Sequence, residues 1–202
     1  GVFMGFLAAS VLSVIVYMQM NTTLGVYLRD VHLVTEQRYG YILSLNALMV
    51  VLFQFPITRR VNQFRPLMVM TVGMLFYAAG YAMYGVFSWY GLFLFAMAVI
   101  TIGEMLVSPV SQSIIANLAP EALRGRYMAA YGMVWMVPSI FGPSAAGLIL
   151  DYADPNMLWY ASAGLCAVSA LGFYALHLRL GKQARFTFTP PVETAEAAAI
   201  PS

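Results

Sequence analysis

The sequence predicts an all-α membrane protein of six transmembrane helices with both termini in the cytoplasm. Three observations carry that prediction. Hydrophobic residues make up 61% of the 202 and charged residues 9%, where soluble domains average about 45–50% and about 25%. The apolar residues fall into six runs, each close to the roughly 20 residues that a helix needs to cross a bilayer. Lys and Arg collect in alternate connections, which orients the runs. Open sheets cannot span lipid and barrel strands would alternate in polarity, so the runs are helices.

The first run, 1–28, opens apolar with neither an initiator Met nor a basic leader. It is too long and too weakly flanked for a signal peptide, and Gly1 is expected to be the first residue of a span within a longer parent chain. The second run is 39–58. The third and fourth, 67–88 and 89–119, meet at "FSWY", where Trp89 and Tyr90 suit the headgroup level. The fifth is 127–150 and the sixth 157–177. Residues 1–180 are thus expected to form one six-helix bundle. The remainder, 181–202, is rich in Pro, Ala and Thr with little to bury, and is expected to be a disordered cytoplasmic tail.

Eight of the ten basic residues lie on one side: Arg59, Arg60, Arg65, Arg124, Arg126, Arg179, Lys182 and Arg185. Only Arg29 and Arg38 lie on the other, each near an acid, and Asp151 and Asp154 fall there too. The tail side is therefore cytoplasmic. A formal charge of +2 with no basic stripe outside the loops gives no reason to expect nucleic acid as a partner. Cys166 has no second cysteine, and His32 and His177 stand at opposite faces, so no metal site is expected.

Glu104 is the only Asp, Glu, Lys or Arg inside the six runs. An ionised residue at the centre of a span costs about 2.5–3.5 kcal/mol on insertion scales, and such residues usually face a cavity or the bundle interior. Thr101, Glu104, Ser108, Ser111 and Gln112 share one helical face. Pro109 supplies no N–H, so the carbonyl of Met105 is left without its helical donor. A polar stripe beside an open carbonyl describes a cavity wall; a Glu that only pins neighbouring helices is the competing account.

Other runs carry matching faces. In "YMQMNTTLGVY", Gln19, Thr22 and Thr23 lie together, and Asn46 and Gln54 are eight apart on the second run. Helix-to-helix hydrogen bonding explains any single amide, but three such faces suggest one shared polar cavity. On the fifth run Tyr131 and Trp135 follow Tyr127 at helical spacing, either as a substrate-facing wall or as a packing stripe. Pro138, Gly142 and Pro143 would bend that helix and permit close approach. At the cytoplasmic turn "APEALRGRY", Glu121 and Arg124 can pair locally or latch to Arg59 and Arg60. No phosphate-binding loop, nucleophile elbow or zinc-protease motif appears, and Glu104 is alone at its depth, so an embedded enzyme is not expected.

The segments "YMQMNTTLGVYLRD", "YGYILSLNALMVVLFQFPITRR", "GEMLVSPVSQSIIANLAPEALRGRYM" and "FGPSAAGLILD" resemble the C-terminal half of a major facilitator superfamily transporter, with a flavour similar to drug:proton antiporters. The resemblance covers about 15–151. It implies one half of a twelve-helix protein, built as a 3+3 repeat, with substrate bound between the halves. By the same resemblance, Glu121 and Arg124 belong to a cytoplasmic charge network. The turn "PITRRVNQFRP" keeps the basic residues of the family's loop but lacks its Asp and glycines.

The expected function is proton-coupled efflux of small amphipathic compounds by alternating access, with Glu104 exchanging the proton. No cofactor is expected beyond the proton gradient. The expected partners are the bilayer (a bacterial inner membrane), a small-molecule substrate and a missing N-terminal six-helix half. Uptake of a sugar or other metabolite, and a non-transporting membrane scaffold, are the alternatives.

Overall fold

A computed structural model describes residues 2–180. The tail, 181–202, for which disorder is expected, lies outside the described residues. Within them the chain is all α: α1 (Val2–Thr22), α2 (Leu24–His32), α3 (Glu36–Val61), α4 (Pro66–Val86), α5 (Tyr90–Leu118), α6 (Arg124–Tyr152) and α7 (Pro155–Leu180). One short 3₁₀ turn, Glu121–Leu123, precedes α6. All but α2 are long and apolar enough to cross a membrane.

The first run differs from expectation. It does not form one helix over 1–28 but breaks at Thr23, and helix resumes as α2 through His32. Hydroxyls around the break turn back on the chain. Thr22 Oγ1 donates to the Met18 carbonyl at 2.8 Å, and Thr23 Oγ1 donates to Gln19 Oε1 at 2.7 Å. Such local bonds compete with regular helix and commonly bend it. At the far end of α2, Leu33 adopts a left-handed cap with φ 55°, and the N–H of Val34 reaches back to the Leu28 carbonyl. The prolines, by contrast, sit inside continuous helices: Pro56 in α3, Pro109 in α5, and Pro138 and Pro143 in α6.

Side-by-side packing runs in the order α3, α5, α4, α7, α1, α6. The middle of this arc is closely packed. Along the α4–α5 seam Gly73, Gly80 and Gly103 let the backbones touch, and a Cβ on Gly103 would stand 2.7 Å from the Gly73 carbonyl oxygen. At the α2 end, Tyr27, Tyr84 and Trp159 interlock with ring centroids 5.0–5.5 Å apart. The ends of the arc are open. Only 6% of α3's apolar window is buried and 22% of α6's, against 56% for α4. Phe53 and Phe55 on α3, and Met136 and Phe141 on α6, are exposed.

Candidate functional site

Glu104 is half-buried on α5 and touches two other helices. From α1, the Tyr17 hydroxyl donates to Glu104 Oε1 at 3.1 Å. From α3, Asn46 Nδ2 donates to Oε2 at 2.8 Å and also to Thr101 Oγ1 at 2.9 Å. Thr101 in turn donates to the Met97 carbonyl, which fixes its hydroxyl and leaves its lone pair for Asn46. The carboxylate therefore accepts from both sides, and the donors are neutral. The negative charge has hydrogen-bond partners but no counter-charge among them.

The surroundings of Glu104 also differ from expectation. Thr101 and the serines of its own stripe are present, but its direct contacts are Tyr17 and Asn46, from other helices. Tyr17 is not legible as a site residue, because the polar cluster beginning at Gln19 lies on another face of the same helix. The signal was available: Ser13 and Tyr17 are four apart, and both line the chamber in front of Glu104.

That chamber is a cavity of about 70 Å³ between α1, α5 and α6, large enough for a few waters or a small head group. Ser108, Ser111 and Gln112 line it from α5, as their spacing suggested, and Tyr131 and Trp135 line it from α6. Tyr131 donates to Ser111 Oγ at 3.2 Å, while Trp135 stands edge-on to Tyr17 at 5.6 Å. Tyr77 of α4, also absent from the sequence-based set, forms the buried back wall. Among the described lining residues none is basic. Tyr127 turns away and packs on Phe3 at 4.3 Å.

The structure does not bring every candidate here. Gln19, on a different face of α1, and Thr23, at the break that follows it, are buried, and Gln19 Nε2 reaches the Gly142 carbonyl of α6 at 3.4 Å. A Cβ at Gly142 would lie 3.5 Å from Gln19 Nε2, an ordinary contact, so this seam does not depend on glycine there. Thr22 is exposed. One shared cavity therefore becomes two sites on α1, a seam with α6 and a chamber facing α5, because Gln19 and Tyr17 diverge by two residues on the helical wheel. Gln54 also lies outside the chamber, two turns along the same face of α3 as Asn46; its Nε2 donates to the Met105 carbonyl at 3.2 Å. Pro138 is buried and Pro143 partly so within an unbroken α6.

Arg59, Arg60 and Arg124 are exposed at the same end of the bundle, and the side chain of Glu121 lies outside the described set. At the other end the Tyr27 hydroxyl gathers the Tyr84 carbonyl at 3.0 Å, Asn156 Oδ1 at 2.7 Å and His32 Nε2 at 3.0 Å. His32 sits against the Phe93 ring, and burial pushes its imidazole below its usual pKa.

Known proteins resemble this chain in sequence and in fold. The family model for the Major Facilitator Superfamily matches residues 1–200. A Na(+), Li(+), K(+)/H(+) antiporter from Planococcus maritimus is 30% identical over 156 residues, covering 70% of this chain and 37% of that protein. The uncharacterized MFS-type transporter YdeE of Escherichia coli (strain K12) is 31% identical over 126 residues, 61% of this chain and 31% of its own length. A crystal structure of a POT family transporter in complex with 5-aminolevulinic acid superposes with a TM-score of 0.73 at 18% identity, covering 89% of this chain and 41% of that one. At that identity the likeness is one of fold. The chain spans less than half the length of each of these proteins.

Proposed function

Because this chain belongs to the Major Facilitator Superfamily, we propose that it forms one six-helix wall of a secondary active transporter and that Glu104 is its proton-exchanging group. The bridge from Glu104 to Tyr17 and Asn46 carries this reading. One carboxylate joins α1, α3 and α5 beside an open chamber, so its proton count and the arrangement of three helices are linked. Protonation of Glu104 turns one of its acceptor oxygens into an O–H donor, so the hydrogen bonds from Tyr17 and Asn46 must rearrange, with the Tyr17 hydroxyl oxygen and, after rotation of the amide, Asn46 Oδ1 as acceptors within reach. A ligand or proton that alters such a bridge shifts the balance between conformations.

The open ends of the arc support a partner for these six helices. The chamber lies beside α6, and α3 carries Asn46, yet α3 and α6 are the least buried of the six spans. A second bundle seated across them would close the chamber, as in alternating access around a midplane site. The membrane, the cytoplasmic placement of both termini and efflux of small amphipathic compounds complete the proposal. A second reading, exchange of Na⁺, Li⁺ or K⁺ for protons, is favoured by the name of the Planococcus maritimus relative.

Reconstitution tests the half-transporter reading. The 202-residue chain in liposomes with an imposed pH gradient should show no saturable flux, whereas the full-length protein should. Robust gradient-driven flux by the chain alone would replace this reading with a small self-sufficient carrier.

A further inference from the structure

We propose that the contact between Tyr27 and His32 is an acid-operated clasp on α2: with His32 neutral it holds α2 against α4 and α7, and protonation of His32 lets α2 loosen about the break at Thr23. The clasp lies at the opposite end of α1 from the chamber's serines and does not depend on the role of Glu104.

The build of α2 suits a part that can swing. It is nine residues long, follows the break at Thr23, and ends at the left-handed Leu33. Leu24, Tyr27 and Leu28 are its buried residues. Tyr27 is the one that reaches other helices with a polar atom. Its hydroxyl lies 3.0 Å from the Tyr84 carbonyl in the last turn of α4 and 2.7 Å from Asn156 Oδ1 in the first turn of α7. At the opposite end of α2, Tyr39 of α3 packs on Gly25 and donates to the Met20 carbonyl at 3.3 Å.

The Tyr27 hydroxyl carries one hydrogen and two lone pairs. Helix α4 ends at Val86, so the Tyr84 carbonyl is among those that a helix C-terminus leaves open, and the Tyr27 hydrogen serves it. The hydroxyl oxygen then accepts from His32 Nε2, 3.0 Å away, and from an Asn156 amide turned to present Nδ2. The neutral ring with its hydrogen on Nε2 completes the set. Nδ1 is the atom left to take a proton, and it has no hydrogen-bond partner among the described residues.

The charges around His32 set the direction. The Tyr27 hydroxyl and the Phe93 ring of α5, at 4.8 Å, face the imidazole. From α7, the Tyr160 hydroxyl is spent on the Gly85 carbonyl at 2.8 Å, and Asp154, just before that helix, accepts from the Asn156 N–H at 2.9 Å. Arg29 and Asp30 pair with each other at 2.7 Å, while Glu36 and Arg38 of α3 are exposed. Among the described residues no carboxylate pairs with His32. Burial therefore acts unopposed and holds the imidazole below its usual pKa. Once protonated, such a group favours the arrangement that returns it to water.

Hydrogen exchange of the full-length protein in detergent micelles tests this, at about pH 7.5 and about pH 5.5, on either side of the ordinary imidazole pKa, with intrinsic rates divided out. The reporters are the N–H groups of Leu33 and Val34, bonded to the Arg29 and Leu28 carbonyls at 3.1 and 3.0 Å. Acid should lower their protection, by up to about tenfold for each unit by which burial displaces the pKa, while amides in the middle of α5 keep theirs. His32→Gln should remove this acid response. Tyr27→Phe should lower protection at both pH values and leave little response to acid. Glu104→Gln should keep the response in full, so failure of the proton-exchange reading leaves the clasp standing. An equal acid response in His32→Gln, a full response in Tyr27→Phe, a loss of protection spread evenly into α5, no loss at all, or a response abolished by Glu104→Gln would each overturn the inference.

Discussion

Gln54 on α3 donates to the main-chain carbonyl of Met105 on α5 at 3.2 Å, and this is the carbonyl that Pro109 leaves without its helical N–H. A gap in one helix is thus filled by the side chain of another. Asn46 and Gln54 both tie α3 to α5, on a helix whose flanks are largely exposed.

The pair makes a double-mutant cycle. Gln54→Leu should destabilise the protein by about 0.6–1.7 kcal/mol, the range of polar bonds between membrane helices. In a Pro109→Ala background the helix satisfies its own carbonyl, so the same substitution should cost less than about 0.5 kcal/mol, the size of an additive remainder. Unfolding of the four proteins in mixed micelles measures the coupling. Equal costs in both backgrounds would mean that Gln54 does not serve the carbonyl that Pro109 opens.

The α4–α5 seam gives a steric prediction. A Cβ at Gly103 meets the Gly73 carbonyl oxygen at 2.7 Å, a backbone atom that cannot swing aside. Gly103→Ala should therefore destabilise by about 1–3 kcal/mol, as overpacked cores do. Gly164 has nothing within 4 Å of the same construction, and Gly164→Ala should be neutral or gain up to about 1 kcal/mol. Thermal unfolding of the two variants checks the contrast, and similar behaviour would deny the seam its close approach.

His32 should make the α2 end sensitive to acid. Burial lowers its pKa, so the folded protein holds the neutral ring, facing the Tyr27 hydroxyl and the Phe93 ring. The unfolded chain binds the proton more readily, with a pKa of about 6.5. The stabilising contribution is then constant well above that value and is lost as pH falls below it. The melting temperature should drop between about pH 7.5 and about pH 5.5, on either side of that pKa. His32→Gln, which keeps a donor for Tyr27, should reduce the drop. An unchanged drop would assign the acid sensitivity elsewhere.

Much of the architecture was legible because hydropathy acts along the chain. The spans from α3 to α7 follow uninterrupted apolar runs, and Glu104 with its stripe follows the 3.6-residue period. The open Met105 carbonyl could be named from Pro109 alone. What answers it could not, because Gln54 lies 51 positions upstream on another helix. Tyr17 was missed for the same reason: its apolar ring reads as a packing residue until the fold sets its hydroxyl against Glu104. The break at Thr23 was hidden because the run carries no charge across it, while the hydroxyl bonds around the break are local and stereochemical.

The central claim is that Glu104 exchanges a proton within the transport cycle, and one substitution tests it most directly. Glu104→Gln keeps the size of the side chain. Its carbonyl oxygen can still accept from Tyr17 or Asn46, but it cannot titrate. Uptake driven by an imposed pH gradient should be measured in proteoliposomes of the full-length protein, wild type beside Glu104→Gln, with insertion and thermal stability matched. The account predicts that gradient-driven accumulation falls to the level of empty liposomes while the variant remains folded. Transport by Glu104→Gln at the wild-type rate, with undiminished dependence on the pH gradient, would contradict it and leave Glu104 as a tie between α1, α3 and α5.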